Sequence, residues 1–291
     1  MTALVNMFTA LGFALVRGIP LLIETLIIIY IAKLIRDGLT KFDDNAELFK
    51  NDNRAVGVAT AGYYLGILIA LTGVLTGGSK GFWNDVIDVG VYGILAIVMQ
   101  NIARWSADKF ILSEFNIDDE LVKDKNMGTA WAMFGIYFAT GMIVRGAIMG
   151  DSASFWSGIG TTLYYFILSQ VILVIVAWVY QSKITPYDFH EEIKNDNVAA
   201  GLAFAGFVSA LGVIVSHGGG NHVSVADTIG FILWTVIGIV ILGFTRAVLA
   251  ERILVPGHKI TDEVVKDRNE NAGWMLIAAY HIMAWVFVLA V

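Results

Sequence analysis

Cysteine is absent from this chain of 291 residues. That excludes disulfides, thiolate metal sites, a cysteine nucleophile and a cysteine lipid anchor. Proline is nearly absent: Pro20, Pro186 and Pro256 are the three present. Pro20 falls near the predicted start of an apolar run, where a missing N–H does no harm, and the other two fall in predicted loops. Charge is scarce as well, at 15% of residues, where a soluble domain carries about a quarter. The net charge of −6 offers no basic patch for a nucleic acid, so none is expected as a partner. No Lys or Arg precedes Arg17, which argues against a cleavable signal peptide and for a retained first span behind an apolar lead-in.

What fills the chain is hydrophobic sequence, 57% of it. Apolar runs cover residues 18–36, 55–76, 86–105, 128–148, 158–180, 198–217, 227–248 and 271–290. Each exceeds the roughly 17 residues that cross a hydrocarbon core, and none alternates as a barrel strand would. The predicted fold is an all-α polytopic membrane protein of about eight transmembrane helices, with the lipid bilayer as its first partner.

A motif recurs between these runs. Glu47, Lys50 and Asn53 form Glu-x-x-Lys-x-x-Asn, as do Glu120, Lys123 and Asn126, then Glu191, Lys194 and Asn197, and finally Glu263, Lys266 and Asn269. The period of about 72 residues marks an internal repeat of span, loop, span. All Lys and Arg except Arg17, Lys80 and Arg145 lie in or beside the four motif loops. The positive-inside rule puts those loops in the cytoplasm and both termini outside. Two spans per repeat keep every unit in one orientation, so the units are parallel. The opposite loops, Thr76-Gly77-Gly78-Ser79, Gly150-Asp151-Ser152 and Ser216 to His222, have turn compositions. Similarity is closer over two units: Lys50-Asn51-Asp52-Asn53 matches Lys194-Asn195-Asp196-Asn197. Residues 1–150 and 151–291 are thus expected to be two four-span repeats.

Lys183-Ile184-Thr185-Pro186, followed by Ile193-Lys194-Asn195-Asp196-Asn197-Val198-Ala199-Ala200-Gly201, resembles the signature of the YjfL-type bacterial inner-membrane proteins, domain of unknown function 350, in a tandem duplicated form. The first half departs from it, with Leu39-Thr40-Lys41-Phe42 where Lys-Ile-Thr-Pro would stand. The resemblance implies a multi-pass bacterial inner-membrane location and brings no activity or site residues with it.

In the repeated motif, Glu and Lys at i, i+3 can pair on a short helix, and Asn is a favoured N-cap for the span that follows. The motif is then a helix-start device. Two other readings stay open: a ring of Asn and Lys at a channel mouth, and a docking surface for a cytoplasmic protein. Small residues after each Asn, such as Gly62, Gly66, Gly135 and Gly206, suit close helix packing and predict that the even-numbered spans form an inner ring. Ionisable and amide groups inside spans are functional candidates. Glu24, Gln170 and His281 lie near the midplane and break the repeat, which makes them a candidate intramembrane polar site. Arg17 is expected to meet Asp85 or Asp151, and Arg145 to snorkel outward. His217, His222 and Asp227 are weak metal candidates without a fourth ligand. No phosphate loop, zinc motif or nucleophile elbow occurs, so neither enzymatic activity nor a cofactor is expected. The leading function is an ion or small-solute channel or transporter with a polar path between repeats. The alternative is a membrane-stress scaffold that docks a cytoplasmic partner. A homo-oligomer is compatible with both.

Overall fold

The computed structural model describes residues 2–77, 81–150, 152–218 and 222–291. Gly78, Ser79, Lys80, Asp151 and the loop residues 219–221 lie outside them. The described chain is helical, with eight helices long and apolar enough to cross a membrane. These are α1 (Thr2–Leu39), α3 (Arg54–Leu75), α4 (Phe82–Ser106), α6 (Met127–Ile148), α7 (Phe155–Val179), α9 (Val198–His217), α10 (Val225–Phe244) and α12 (Glu270–Ala290). Short helices precede every second one: α2 (Asp44–Phe49), α5 (Ile117–Val122), α8 (Phe189–Lys194) and α11 (Ile260–Val265).

Three spans run past their predicted ends. A π-helical stretch extends α4 over Ala107–Ile111, α7 over Tyr180–Ile184 and α10 over Thr245–Leu254. Wide i→i+5 bonds close them, such as Leu112 N–H to Ala107 O at 2.7 Å and Val255 N–H to Ala250 O at 3.0 Å. Their charged residues hid this continuation in the sequence. Pro20 also departs from expectation: it sits inside α1, which continues through it.

In lipid, burying apolar surface releases no water, so close packing and hydrogen bonds decide which helices associate. The inner helices associate in the order α3, α6, α9, α12. At each seam a glycine brings the backbones together. A Cβ on Gly62 would meet Phe134 Cα at 2.7 Å, one on Gly135 would meet Ala205 Cα at 2.5 Å, and one on Gly206 would meet Ile277 Cα at 2.8 Å. These residues hold one register: the glycine lies nine positions after the motif Asn, its neighbour eight positions after the next. The outer helices cover one side of this row. α1 rests on α4, α4 on α3 and α6, α7 on α6, and α10 on α9 and α12.

The expected inner ring is instead an open row. Among the described residues α3 and α12 are its ends, each packed on one inner neighbour. The row is curved. Trp131 of α6 meets Trp274 of α12 with ring centroids 5.0 Å apart, and Phe138 meets His281 at 5.8 Å. The α9 surface beneath them carries Ala205, Ser209 and Gly212, small enough for aromatic rings from both sides to close over it.

Candidate functional site at the Glu–Asn latch and the inner row

Each inner helix begins at its motif Asn, whose side chain caps it. Asn53 Oδ1 accepts from the N–H groups of Ala55 and Val56, Asn126 Oδ1 from Thr129, Asn197 Oδ1 from Ala200, and Asn269 Oδ1 from Asn271. The amide nitrogen does two further things. It donates to a carboxylate of its own loop: Asn53 to Glu47 at 3.0 Å, Asn126 to Glu120 at 2.7 Å, Asn269 to Glu263 at 2.8 Å. It also donates across to the next short helix: Asn53 to Leu121 O at 2.9 Å, Asn126 to Ile193 O at 2.7 Å, Asn197 to Val264 O at 2.8 Å. The Asn is therefore a latch joining consecutive units as well as a cap.

Two details correct the sequence reading. In the third loop the partner of Asn197 is Glu192, at 2.7 Å, and not Glu191. That loop is one residue shorter. Asn197 N–H reaches Glu192 O, five positions back, where Asn53, Asn126 and Asn269 reach six back. Nor does the motif Lys pair with the motif Glu. Lys123 bonds Asp119 at 2.8 Å and Lys266 bonds Asp262 at 3.0 Å, both at i,i+4. The carboxylate is occupied by the Asn amide, which leaves the Lys pointing outward; Lys50, Lys123, Lys194 and Lys266 are all exposed.

The residue before each Asn is left-handed: Asp52 at φ 48°, Lys125 at 51°, Asp196 at 55° and Arg268 at 47°. None is glycine, and such backbone costs about 1–3 kcal/mol per site. The turn sends these side chains back toward the preceding unit. Lys125 Nζ donates to Asn51 O at 2.8 Å, Arg268 Nη1 donates to Asn195 O at 3.1 Å, and Asp196 Oδ1 accepts from Met127 N–H at 2.7 Å. Sequence inspection missed this left-handed residue, although its place immediately before an N-cap Asn was the available signal.

Two of the latch carboxylates stand in contrast. Burial raises the pKa of Glu120, with the Asn126 bond opposing. Glu263 is held below its usual value by hydrogen bonds from Asn269 and from His258, whose Nδ1 lies 2.7 Å away. Glu120 is covered by the unit that follows it, whereas Glu263 belongs to the last unit.

The candidate intramembrane trio is not brought together. Glu24 lies against Gly90 of α4. Gln170 is buried on α7, where neither amide atom finds a partner among the described residues. His281 Nε2 lies 2.9 Å from Ser209 Oγ of α9. Depth along a helix is readable from sequence, and these depths are similar. The direction around the axis is not, and it sends the three to different helix pairs.

A buried ionic cluster escaped notice instead. Arg36, 2% exposed, bonds Asp44 at 2.6 Å and Thr60 at 2.9 Å, and its guanidinium sits 5.3 Å from the Tyr63 ring centroid. Arg246, also buried, reaches Thr261 at 3.3 Å over the Tyr187 ring. Each clamps an outer helix to its short helix or to the next inner helix.

At the end of the bundle opposite the latches, Arg17 pairs with Asp85 at 3.0 Å; its other candidate, Asp151, is outside the described residues. Arg145 Nε donates to Thr72 at 3.1 Å. A cavity of about 210 Å³ beside it is lined by Arg145, Gly146, Ser216, His217 and Trp285. The weak metal candidates have other engagements. His217 packs on Trp234, the His222 carbonyl accepts from Tyr165, and Asp227 caps α10 with Ser224. Among the described residues no group of three His, Asp or Glu is placed to hold a metal.

Comparison with known proteins follows the same internal repeat. The chain is 25% identical over 169 residues to a "UPF0719 transmembrane protein" of Aquifex aeolicus, covering 58% of this chain and 60% of that one. It is 36% identical over 77 residues to the "UPF0719 inner membrane protein YjfL" of Escherichia coli K12, covering 26% of this chain and 55% of that one. No solved structure matches. Eight apolar helices and these relatives make it a multi-pass inner-membrane protein. The family described as "Domain of Unknown Function (DUF350)" matches twice, over residues 3–148 and 154–291, and the chain belongs to that family in tandem duplicated form.

Proposed function

We propose that the protein is a channel or transporter for ions or small solutes, its path following the α9 face between α6 and α12, with the Trp131–Trp274 and Phe138–His281 contacts across that face as its constriction. One observation carries this reading. The polar cavity lined by Arg145, Ser216 and His217 opens between α6, α9 and α12, at the seam of the two halves. The His281–Ser209 pair continues that side toward the middle of the helices. The seams between neighbouring inner helices are closed by backbone contact at glycines, at Gly146 on Ser216 beside the cavity as at Gly62, Gly135 and Gly206, so the path follows this face and not a seam. In this reading the four units are parallel, the latch loops face the cytoplasm and both termini face outside. No catalytic role is assigned to any residue.

A second reading, a scaffold for a cytoplasmic protein, draws on the exposed Lys50, Lys123, Lys194 and Lys266, one beside each latch. Flux measurements on the purified protein in liposomes separate the two. Ion or small-solute flux should appear and should fall at least severalfold in Arg145→Leu and in His281→Phe. Absence of flux across common ions, with stoichiometric capture of a soluble partner lost on reversal of the four lysines, would replace the channel with the scaffold.

A further inference from the structure

The row has two unlike ends, and each lacks what the other offers. At the α12 end, Asn269 Nδ2 donates to Glu263 but, among the described residues, to no carbonyl of a following unit. At the α3 end, the carbonyl of Leu48 holds the place of Leu121, Ile193 and Val264, one position after the latch carboxylate, and among the described residues no side-chain amide reaches it. Phe49 beside it is 83% exposed.

The same complementarity extends into the membrane. The residue following each latch Asn is Arg54, Met127, Val198 and Glu270 in turn. The two inner positions are neutral, and the two end positions carry opposite charges and are exposed. Further along, the three existing seams set a glycine against the next helix: Gly62 on Phe134, Gly135 on Ala205, Gly206 on Ile277. In the same register the end of the row presents Ala278 and its beginning Ala61, both small and both exposed. Asp52 is left-handed like Asp196, whose carboxylate accepts the Met127 N–H across the seam between halves. The N–H equivalent to Met127 at the free end is that of Glu270.

We propose that the row is continued by a second copy of the chain joined head to tail, α12 of one copy against α3 of the next. The seam repeats the one between the two halves. Asn269 latches onto Leu48 O, Glu270 N–H meets Asp52, Glu270 and Arg54 face each other, and Ala278 lies on Ala61. Ala278 in place of a glycine sets this seam about 1 Å wider than the internal ones, since a Cβ there would otherwise lie 2.5–2.8 Å from the facing Cα. A heterologous joint of this kind closes into a ring if its rotation allows and otherwise extends into a filament. The proposal rests on the repeat geometry and not on transport.

The chain contains no cysteine, so the seam can be tested directly. Two differently tagged chains, one Ala61→Cys and the other Ala278→Cys, are co-expressed and oxidised in native membranes. Gly135 and Ala205 are close enough for a Cβ–Cβ approach of 2.9 Å, so the expected result is a disulfide joining the two tags, with neither single variant crosslinking to itself. Arg54→Glu should reduce the product severalfold, and Glu270→Arg in the partner chain should restore it. Ala278→Trp, which leaves the internal seams untouched, should give a monomer in mild detergent. Absence of the mixed product, or an Ala61–Ala61 product of equal yield, overturns the proposal. The crosslink is read without any flux assay, so each reading stands or falls separately.

Discussion

Asn126 offers the sharpest test of the latch. It is 1% exposed, caps α6 through Thr129, and donates to Glu120 and to Ile193 O, both at 2.7 Å. Asn126→Ala removes the cap, worth about 1 kcal/mol. It also strips a buried carboxylate of a charge-assisted donor, at about 1.5–3 kcal/mol, and strands a buried carbonyl at about 1–3 kcal/mol. The terms overlap, and a total of about 3–5 kcal/mol is expected. Asn126→Asp keeps the cap but sets a second carboxylate against Glu120, so it should fare no better than alanine. Asn269 is the control. It makes the same cap and the same bond to its loop carboxylate, Glu263, without a following unit, so Asn269→Ala in the monomer should cost clearly less than Asn126→Ala: the cap, about 1 kcal/mol, and a bond to a carboxylate that solvent reaches. The measurement is unfolding by sodium dodecyl sulfate from mild micelles, followed by helical circular dichroism, on monomer fractions of all three variants. Equal losses for Asn126→Ala and Asn269→Ala would refute the claim that the bond to the next unit contributes stability.

Arg36→Met should cost about 3–5 kcal/mol in the same assay, because it leaves Asp44 buried without its ion partner, while Arg36→Met with Asp44→Leu should recover most of the loss. The latch carboxylates should respond oppositely to pH. Glu120 has a raised pKa in the folded chain, so its folded form favours the proton, and stability falls as pH rises from 4.5 through that raised value. Glu120→Gln should remove this decline and leave unfolding midpoints near neutral pH unchanged or higher. Glu263 has a lowered pKa, so its contribution is present above 4.5 and lost as pH falls through the folded value. Glu263→Gln should weaken the protein near neutral pH and flatten the acid limb. Midpoints recorded from acid to neutral pH check both, and parallel profiles for the two variants would contradict the assignment.

The spans were legible because run length and helix geometry leave little choice for an apolar segment in a bilayer. The capping role of Asn53, Asn126, Asn197 and Asn269 was legible too, since it depends on neighbours along the chain. What lay hidden depended on direction around a helix or on exact loop length. Alignment on Glu-x-x-Lys selected Glu191, but a loop shorter by one residue hands the bond to Glu192. The similar depths of Glu24 and His281 suggested a pair, yet α1 lies on α4 while α12 ends the row. Four equal repeats suggested a ring, because periodicity describes how one unit meets the next and is silent on whether the last meets the first.

The latch has a consequence for how the protein is made. Asn53 closes on Leu121, Asn126 on Ile193 and Asn197 on Val264, each partner 67 or 68 positions further on. At about 5–20 residues per second, each latch Asn waits roughly 3–14 s for the carbonyl that fastens it. Insertion into the membrane thus acquires a fixed rhythm, in which each arriving short helix secures the hairpin before it. Among the described residues every latch runs from an earlier Asn to a later carbonyl, so assembly follows the direction of translation.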